Sequence, residues 1–349
     1  MKKLGKLMFC IATLMRVLSL VRFAVNVIQV KRDANGLVLF PYVKRQRTGA
    51  AQILAYHRVN DESDPFFPAV PTKVFNAQME YVAENYTVWP LGAVIQALRS
   101  RDIPDNALAI TFDDGYRDNY SNAFPILKKL KLPVTIFLAT GSVGSNQCLW
   151  HDRVFSAFRQ SRVPVLKTFG PDGRSLPLGS LTEKLVALNE VLKYLWSVND
   201  DEKSACIDRL ARQLGVTVEP DGESLMLEWE NIRDMSAQGV GFGSHTVSHA
   251  ILSKVSPARA KREIEESKKI IEDHLRLPVK HFAYPIGRRE DLSQPTKRML
   301  CDAGYECAVT SIFGSNHCGQ DVFELRRATP WDQDIDSFAL RLSYFKFVS

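Results

Sequence analysis

The sequence predicts an α/β fold, either a closed barrel or a doubly wound sheet, and two observations carry this. From about residue 50, apolar runs at 52–56, 108–112, 134–139, 240–243, 281–284 and 306–310 read as buried parallel strands, because strands covered on both faces lose polar alternation. Between them, residues 121–130 and 257–275 read as amphipathic helices, the second with Ser256 as N-cap and Pro257 at the first helical position. Alternation of strand and helix is the pattern of a parallel sheet with helical crossovers.

Taken in order, the chain opens with a basic, apolar segment over residues 1–48. Lys2, Lys3, Lys6, Arg16, Arg22, Lys31, Arg32, Lys44, Arg45 and Arg47 meet almost no acids there, so much of the net charge of +6 belongs to this segment and not to a site. A nucleic-acid partner is therefore not expected. Residues 7–15 follow a basic start as in a signal peptide, yet no small-residue cleavage pattern follows, and Arg16 and Arg22 interrupt the run. Residues 7–30 suit a poor transmembrane span or a helix lying on an anionic membrane surface, a helix packed on the domain, or a cleaved signal. Membrane-surface contact through residues 1–32 places the protein at the bacterial cell envelope or inner membrane, the side left open.

Residues 49–349 hold the remaining elements, enough for one large core. With 45% hydrophobic and 24% charged residues, the chain resembles neither a polytopic membrane protein nor a disordered one. Residues 142–228 break the rhythm: Leu181, Leu185, Leu188, Leu192 and Leu195 recur at helical spacing and predict a helical hairpin inserted beside the site. Pro171, Gly173, Pro177 and Gly179 mark a loop leading into it. The six cysteines lack zinc-ribbon spacing and read as buried free thiols, with a disulfide among Cys301, Cys307 and Cys318 left open.

Two motifs carry chemistry. Asp113 and Asp114, with Gly115 and Tyr116, emerge where a buried strand ends, the position at which such folds place catalysis. Neighbouring strand positions point oppositely, but an irregular turn lets both acids face one cavity and divide roles as metal ligand and base. Alone, an Asp-Asp-Gly turn is more often a solvated loop. The second motif, Gly243 to His249, again follows an apolar strand; His245 and His249, four residues apart, project from one side of a helical turn and suit one divalent ion. A carboxylate from elsewhere completes a face of two histidines and one aspartate, with a position open for water.

With the Thr-Phe-Asp-Asp-Gly element, the His-Thr-Val-Ser-His element and the later Phe282-Ala283-Tyr284-Pro285-Ile286-Gly287 stretch in this order and spacing, the chain resembles the polysaccharide deacetylases, carbohydrate esterase family four. The resemblance spans residues 53–329 and is weakest across the insertion. It implies a distorted (β/α) barrel of about seven strands and a metal, usually zinc. It implies Asp113 as general base, Asp114, His245 and His249 as ligands, and the backbone N–H of Ile286, after Pro285, as oxyanion donor. Tyr116 is placed with the substrate-side groups. Trp150, beside His151, resembles a groove loop where an indole stacks on a sugar ring, a core Trp being the other reading.

Two departures from the family pattern stand out. Ala283 occupies the place of the arginine that orients the catalytic Asp, so another cation must substitute; Arg326 and Arg327 are the candidates, Arg326 being placed among the substrate residues. No histidine follows an apolar strand near the C-terminus, where the general acid would come. His57, after the first strand, is similar to the permuted acid of deacetylases that act on exported glucosamine polymers, and a barrel has no privileged first strand. The expected activity is metal-dependent removal of N-acetyl groups from N-acetylhexosamine units of an envelope or exported polysaccharide, with an oligosaccharide or polysaccharide as partner. A glycan O-acetyl esterase and a catalytically silent sugar-binding barrel are the rival readings.

Overall fold

The computed structural model describes residues 49–349 except 171, 218–224, 347 and 349, and the strand backbone of residues 28–33 and 36–41. In chain order the elements are β1 (Ile28–Asp33), β2 (Gly36–Pro41), β3 (Ala50–Tyr56), α1 (Thr72–Asn85), β4 (Thr87–Val88), α2 (Leu91–Ser100) and β5 (Ala107–Phe112). A π-helical turn (Asn119–Ala123) leads into α3 (Phe124–Lys129), followed by β6 (Val134–Leu138), α4 (Trp150–Gln160), β7 (Val165–Phe169), β8 (Arg174–Pro177), α5 (Leu181–Ser197), α6 (Asp200–Leu214) and α7 (Trp229–Ala237). The chain continues through β9 (Gly241–Ser244), α8 (Pro257–Leu275), β10 (His281–Ala283), α9 (Gln294–Asp302), β11 (Cys307–Val309), β12 (Asn316–His317) and α10 (Ile335–Phe345).

The main sheet runs β11-β10-β9-β6-β5-β3-β12, with β4 also pairing β5. Its strands are parallel except β12, which runs antiparallel to β3. The extended segment 325–328 curls the sheet back on itself. Leu325 bridges β11 at Val309 and Ala328 bridges β3 at Leu54, with Ala55 N donating to Ala328 O at 2.9 Å. A distorted barrel follows, because backbone groups at both sheet margins find partners in one segment.

Alternation along each strand sorts the core. Ala51, Ile53, Ala107, Ala109, Phe137, Ala283 and Val309 belong to an inner cluster that the apolar face of α2 joins through Leu91, Val94 and Leu98. Leu54, Tyr56, Leu108, Ile110 and Phe112 belong to the outer cluster with Phe75, Ile264, Ile271 and Phe338 of the surrounding helices. The barrel is narrow: a Cβ on Gly243 would lie 2.5 Å from the Phe137 ring, so glycine alone fits there.

The insertion has its own core, where Phe158 of α4, Leu188, Val191 and Leu195 of α5 and Ile207 and Leu210 of α6 pack together. It is more than the expected helical hairpin. Gly173, with φ 59°, turns an antiparallel pair of strands, β7 and β8, because the local sequence between the helices favours a tight reversal over a loose loop. Among the described cysteines, Cys206, Cys301, Cys307 and Cys318 are free; Cys10 lies outside the described residues.

The chain divides into two compact units at Met1–Thr48 and Gly49–Ser349. In the first, β1 and β2 pair antiparallel from Ile28 against Pro41 to Asp33 against Gly36. The helix expected at 7–30 lies outside the described residues, except that residues 28–30 form strand. Among the described residues no helix is long and apolar enough to cross a membrane.

Candidate active site

The alternation that sorts the core also gathers the site. Carrying the inward set of β3 beyond Ala55 delivers His57; carrying that of β5 beyond Thr111 delivers Asp113; after Gly243 in β9 it delivers His245. Strands β3 and β5 are parallel neighbours with Tyr56 opposite Phe112, and Asp113 N donates to Tyr56 O at 3.0 Å. His57 Nε2 consequently lies 3.9 Å from Asp113 Oδ2. Asp114 should point away, but its φ of 74°, followed by Gly115 at 87°, turns its carboxylate back into the same cavity.

Asp114, His245 and His249 are buried, with one ligand atom from each lying within 4.8 Å of the others. Asp114 Oδ1 has no hydrogen-bond partner and sits 3.5 Å from His245 Nε2 and 3.3 Å from His249 Nε2. A buried carboxylate oxygen without a donor is costly, so this donor set fits a divalent cation. His245 Nδ1 donates to Ala283 O at 2.8 Å, which leaves the Nε2 lone pair directed at the cluster. Burial, against the opposing pull of Asp113, lowers His245 to about 4 and keeps it neutral. Burial raises Asp114, but His249 and the neighbouring His151 outweigh it and hold the group well below the usual carboxylate range.

The two histidines do not share a helical turn. Residues 245–250 form an irregular turn with Thr246 at φ 68° and His249 at φ 54°, positions a regular helix excludes. Glu263 of α8 holds this turn, accepting from Val247 N and Ser248 N at 2.9 Å each and from Ser248 Oγ at 2.7 Å. Neither motif points to Glu263, although an acid on the core-facing stripe of α8, among Ala260, Ile264, Ser267 and Ile271, is a usable signal.

The orienting cation is Arg327. Its Nη1 and Nη2 donate to Asp113 Oδ1 and Oδ2 at 2.8 and 2.6 Å, Nη1 reaches Thr111 Oγ1 at 3.1 Å, and Nε donates to Thr310 O at 2.8 Å. Burial raises the Asp113 carboxyl, but this two-pronged contact outweighs it and lowers the group below its ordinary value. Arg326, assigned to the substrate, is a correction: on an extended segment adjacent residues point oppositely. Its side chain lies against Gly314 and its backbone against Asn316.

Tyr116 is a second correction. It is fully buried, its hydroxyl is engaged by His151 Nε2 and Asp152 Oδ1 at 2.9 Å each, and it is absent from the cavity lining, so it braces α4. Trp150 lines the cavity, and its Nε1 donates to His249 Nδ1 at 3.1 Å. Pro285 is buried behind the cavity wall; its carbonyl accepts from Gly287 N at 2.7 Å, a γ-turn that places Ile286 at φ 61° on the cavity surface. A β-branched residue in that region is strained, and Ser311 Oγ holds the turn by donating to Ile286 O at 2.5 Å.

The profile of the polysaccharide deacetylases matches residues 100–308. The chain belongs to the polysaccharide deacetylase family. This deacetylase is therefore a hydrolase, and it is similar to YxkH of Bacillus subtilis, 22% identical over 288 residues that cover 82% of this chain and 73% of that one. It also matches the poly-β-1,6-N-acetyl-D-glucosamine N-deacetylase of Escherichia coli K12, at 34% identity over 83 residues, 23% of this chain and 12% of that protein. IcaB from Ammonifex degensii shares the fold, with a TM-score of 0.54, 19% identity, and coverage of 85% of this chain and 97% of that one.

Proposed function

We propose that this deacetylase hydrolyses the acetamide of N-acetylhexosamine units in an exported or envelope polysaccharide, using a divalent metal, zinc by the donor set. The observation that supports this best is the joint placement of Asp113, paired with Arg327, and His57 beside the Asp114–His245–His249 cluster in one cavity. The match to a poly-β-1,6-N-acetyl-D-glucosamine N-deacetylase points to the same bond and substrate class.

A cation held by Asp114, His245 and His249 would supply Lewis acidity to a water and to the acetamide carbonyl. Asp113 takes the proton of the attacking water; it stays ionised through Arg327 while its carboxylate retains lone pairs beyond the two the guanidinium occupies. The Ile286 backbone N–H is assigned to the developing oxyanion, supported by its place on the cavity lining in a turn with φ 61°. His57, across from Asp113, delivers a proton to the departing nitrogen. The basic segment 1–32 is assigned to contact with an anionic membrane surface at the cell envelope, supported by its charge alone.

Acetate release from paired N-acetylated and O-acetylated oligosaccharides tests the reading; ester cleavage without amide cleavage would make the protein an O-acetyl esterase. Asp113→Asn retains metal by mass spectrometry and loses turnover by ~10²–10⁴-fold, the range of general base catalysis. His249→Ala loses both metal and turnover. Undiminished activity in His57→Ala would remove it as the acid.

A further inference from the structure

The insertion does more than decorate the barrel, and its contacts bear on what the site admits. Around the barrel the strands follow one another as β10, β9, β6, β5 and β3, and the segment 325–328 joins β3 to β11. The loops after β10 and after β3 are thus nearly opposite one another across the mouth. The insertion enters after β6, between them, and reaches both.

On one side, Arg288, beyond β10, lies with its guanidinium 5.3 Å from the ring centre of Trp196 of α5. On the other, Phe67, beyond β3, stacks on Phe155 of α4 at 4.6 Å, and the neighbouring Asp64 pairs with Arg159. Between these anchors Trp150 reaches His249, and Arg259 of α8 pairs with Asp200 of α6 at 2.5 Å. Phe67, Phe155, Leu192, Trp196 and Arg288 line the same cavity as the Asp-His-His cluster, and its volume is about 340 Å³. That is the low end of ligand pockets, ~300–1,000 Å³. A groove crossing the mouth would have to break one of these anchors. Ser311, beyond β11, and Thr329, beyond the segment 325–328, also line the cavity.

We propose that the insertion makes the site a blind pocket that takes one terminal N-acetylhexosamine unit, so that deacetylation is confined to the end of a saccharide chain. This rests on the N-deacetylase reading above. The aromatic wall supplies faces for the sugar ring, and the far wall formed by Trp196 and Arg288 leaves no exit for a continuing chain. Which end enters is read by the experiment.

The metal-loaded full chain is incubated with β-1,6-linked N-acetylglucosamine oligomers from dimer to hexamer, labelled at the reducing end. Acetate is counted per chain, and free amines are located by tandem mass spectrometry. The expected result is one acetate per chain at every length, the amine at one end, and kcat/KM changing less than about threefold from dimer to hexamer. In Trp196→Ala combined with Arg288→Ala, internal amines are expected to appear. Internal amines in the wild type, or a rate that climbs with length, would overturn the blind pocket and leave the N-deacetylase reading intact. No acetate from any N-acetylated oligomer would overturn that reading, and the terminal N-acetylhexosamine with it.

Discussion

Asp113 shows how one residue's chemistry depends on a neighbour 214 positions away in the chain. Without Arg327, burial alone would push its carboxyl up and leave a weak base protonated. Arg327→Met should therefore cost about 3–5 kcal/mol, the usual effect of removing one partner from a buried pair. In the wild type the folded pKa is lowered, so the stabilisation is complete above the unfolded value of about 3.9 and is lost only as pH falls through the lower folded value. In the variant the carboxyl shifts upward, so stability is lowest at neutral pH and recovers on acidification. Urea unfolding across neutral and mildly acidic pH checks this, and an unchanged midpoint at neutral pH would contradict it. Trp150 supplies a second test. Its N–H donates to His249 Nδ1, which places the ring proton on Nε2 in the metal-free chain. A cation taken by Nε2 obliges that proton to occupy Nδ1 or leave, and an indole donor cannot remain against Nδ1–H. Metal titration should then change Trp150 emission, read as the difference from Trp150→Phe and reversed by a chelator; a silent difference spectrum would show that the contact survives.

Among the elements, legibility followed the range of the forces involved. Helix α8 starts and stops where Ser256, Pro257 and the apolar stripe indicate, because caps and periodicity are local. Strands β3 and β5 were legible for the same reason, as unbroken apolar runs. Spacing alone reads the turn carrying His245 and His249 as helical, yet it has positive φ values and is hydrogen-bonded by Glu263, which arrives from α8. Glu263→Gln keeps the shape and removes the charge that strengthens three hydrogen bonds. Metal affinity should fall by ~10–100-fold, the usual effect of losing a partner behind a metal ligand. Isothermal titration with zinc measures it, and unaltered affinity would show that the turn holds itself. Strands β7 and β8 escaped notice because each is short, and in β7 one inward residue, Leu166, is fully buried between exposed neighbours.

For the molecule as a whole, closure and catalysis share a segment. Residues 325–328 join the sheet margins and carry Arg327 inward, so a slip of one residue there would exchange Arg327 for Arg326 and strip Asp113 of its cation. The unit Gly49–Ser349 contains the site and its cores, which predicts that a chain lacking residues 1–48 keeps acetate release and melts cooperatively. It should lose cosedimentation with anionic vesicles if the basic segment is the membrane contact; retained cosedimentation would assign that contact elsewhere. The sequence by itself determined the strand-helix alternation, the position of Asp113, Asp114, His245 and His249 at strand ends, and the motif order that marks the family. The first two follow from local periodicity and spacing, and the third from resemblance to the family's motifs. Only the tertiary structure decided that Arg327 and not Arg326 faces Asp113, that Tyr116 is spent within the core, and that the insertion reaches both sides of the mouth. Those outcomes depend on which distant segments become neighbours when the sheet curls, and sequence spacing carries no record of that.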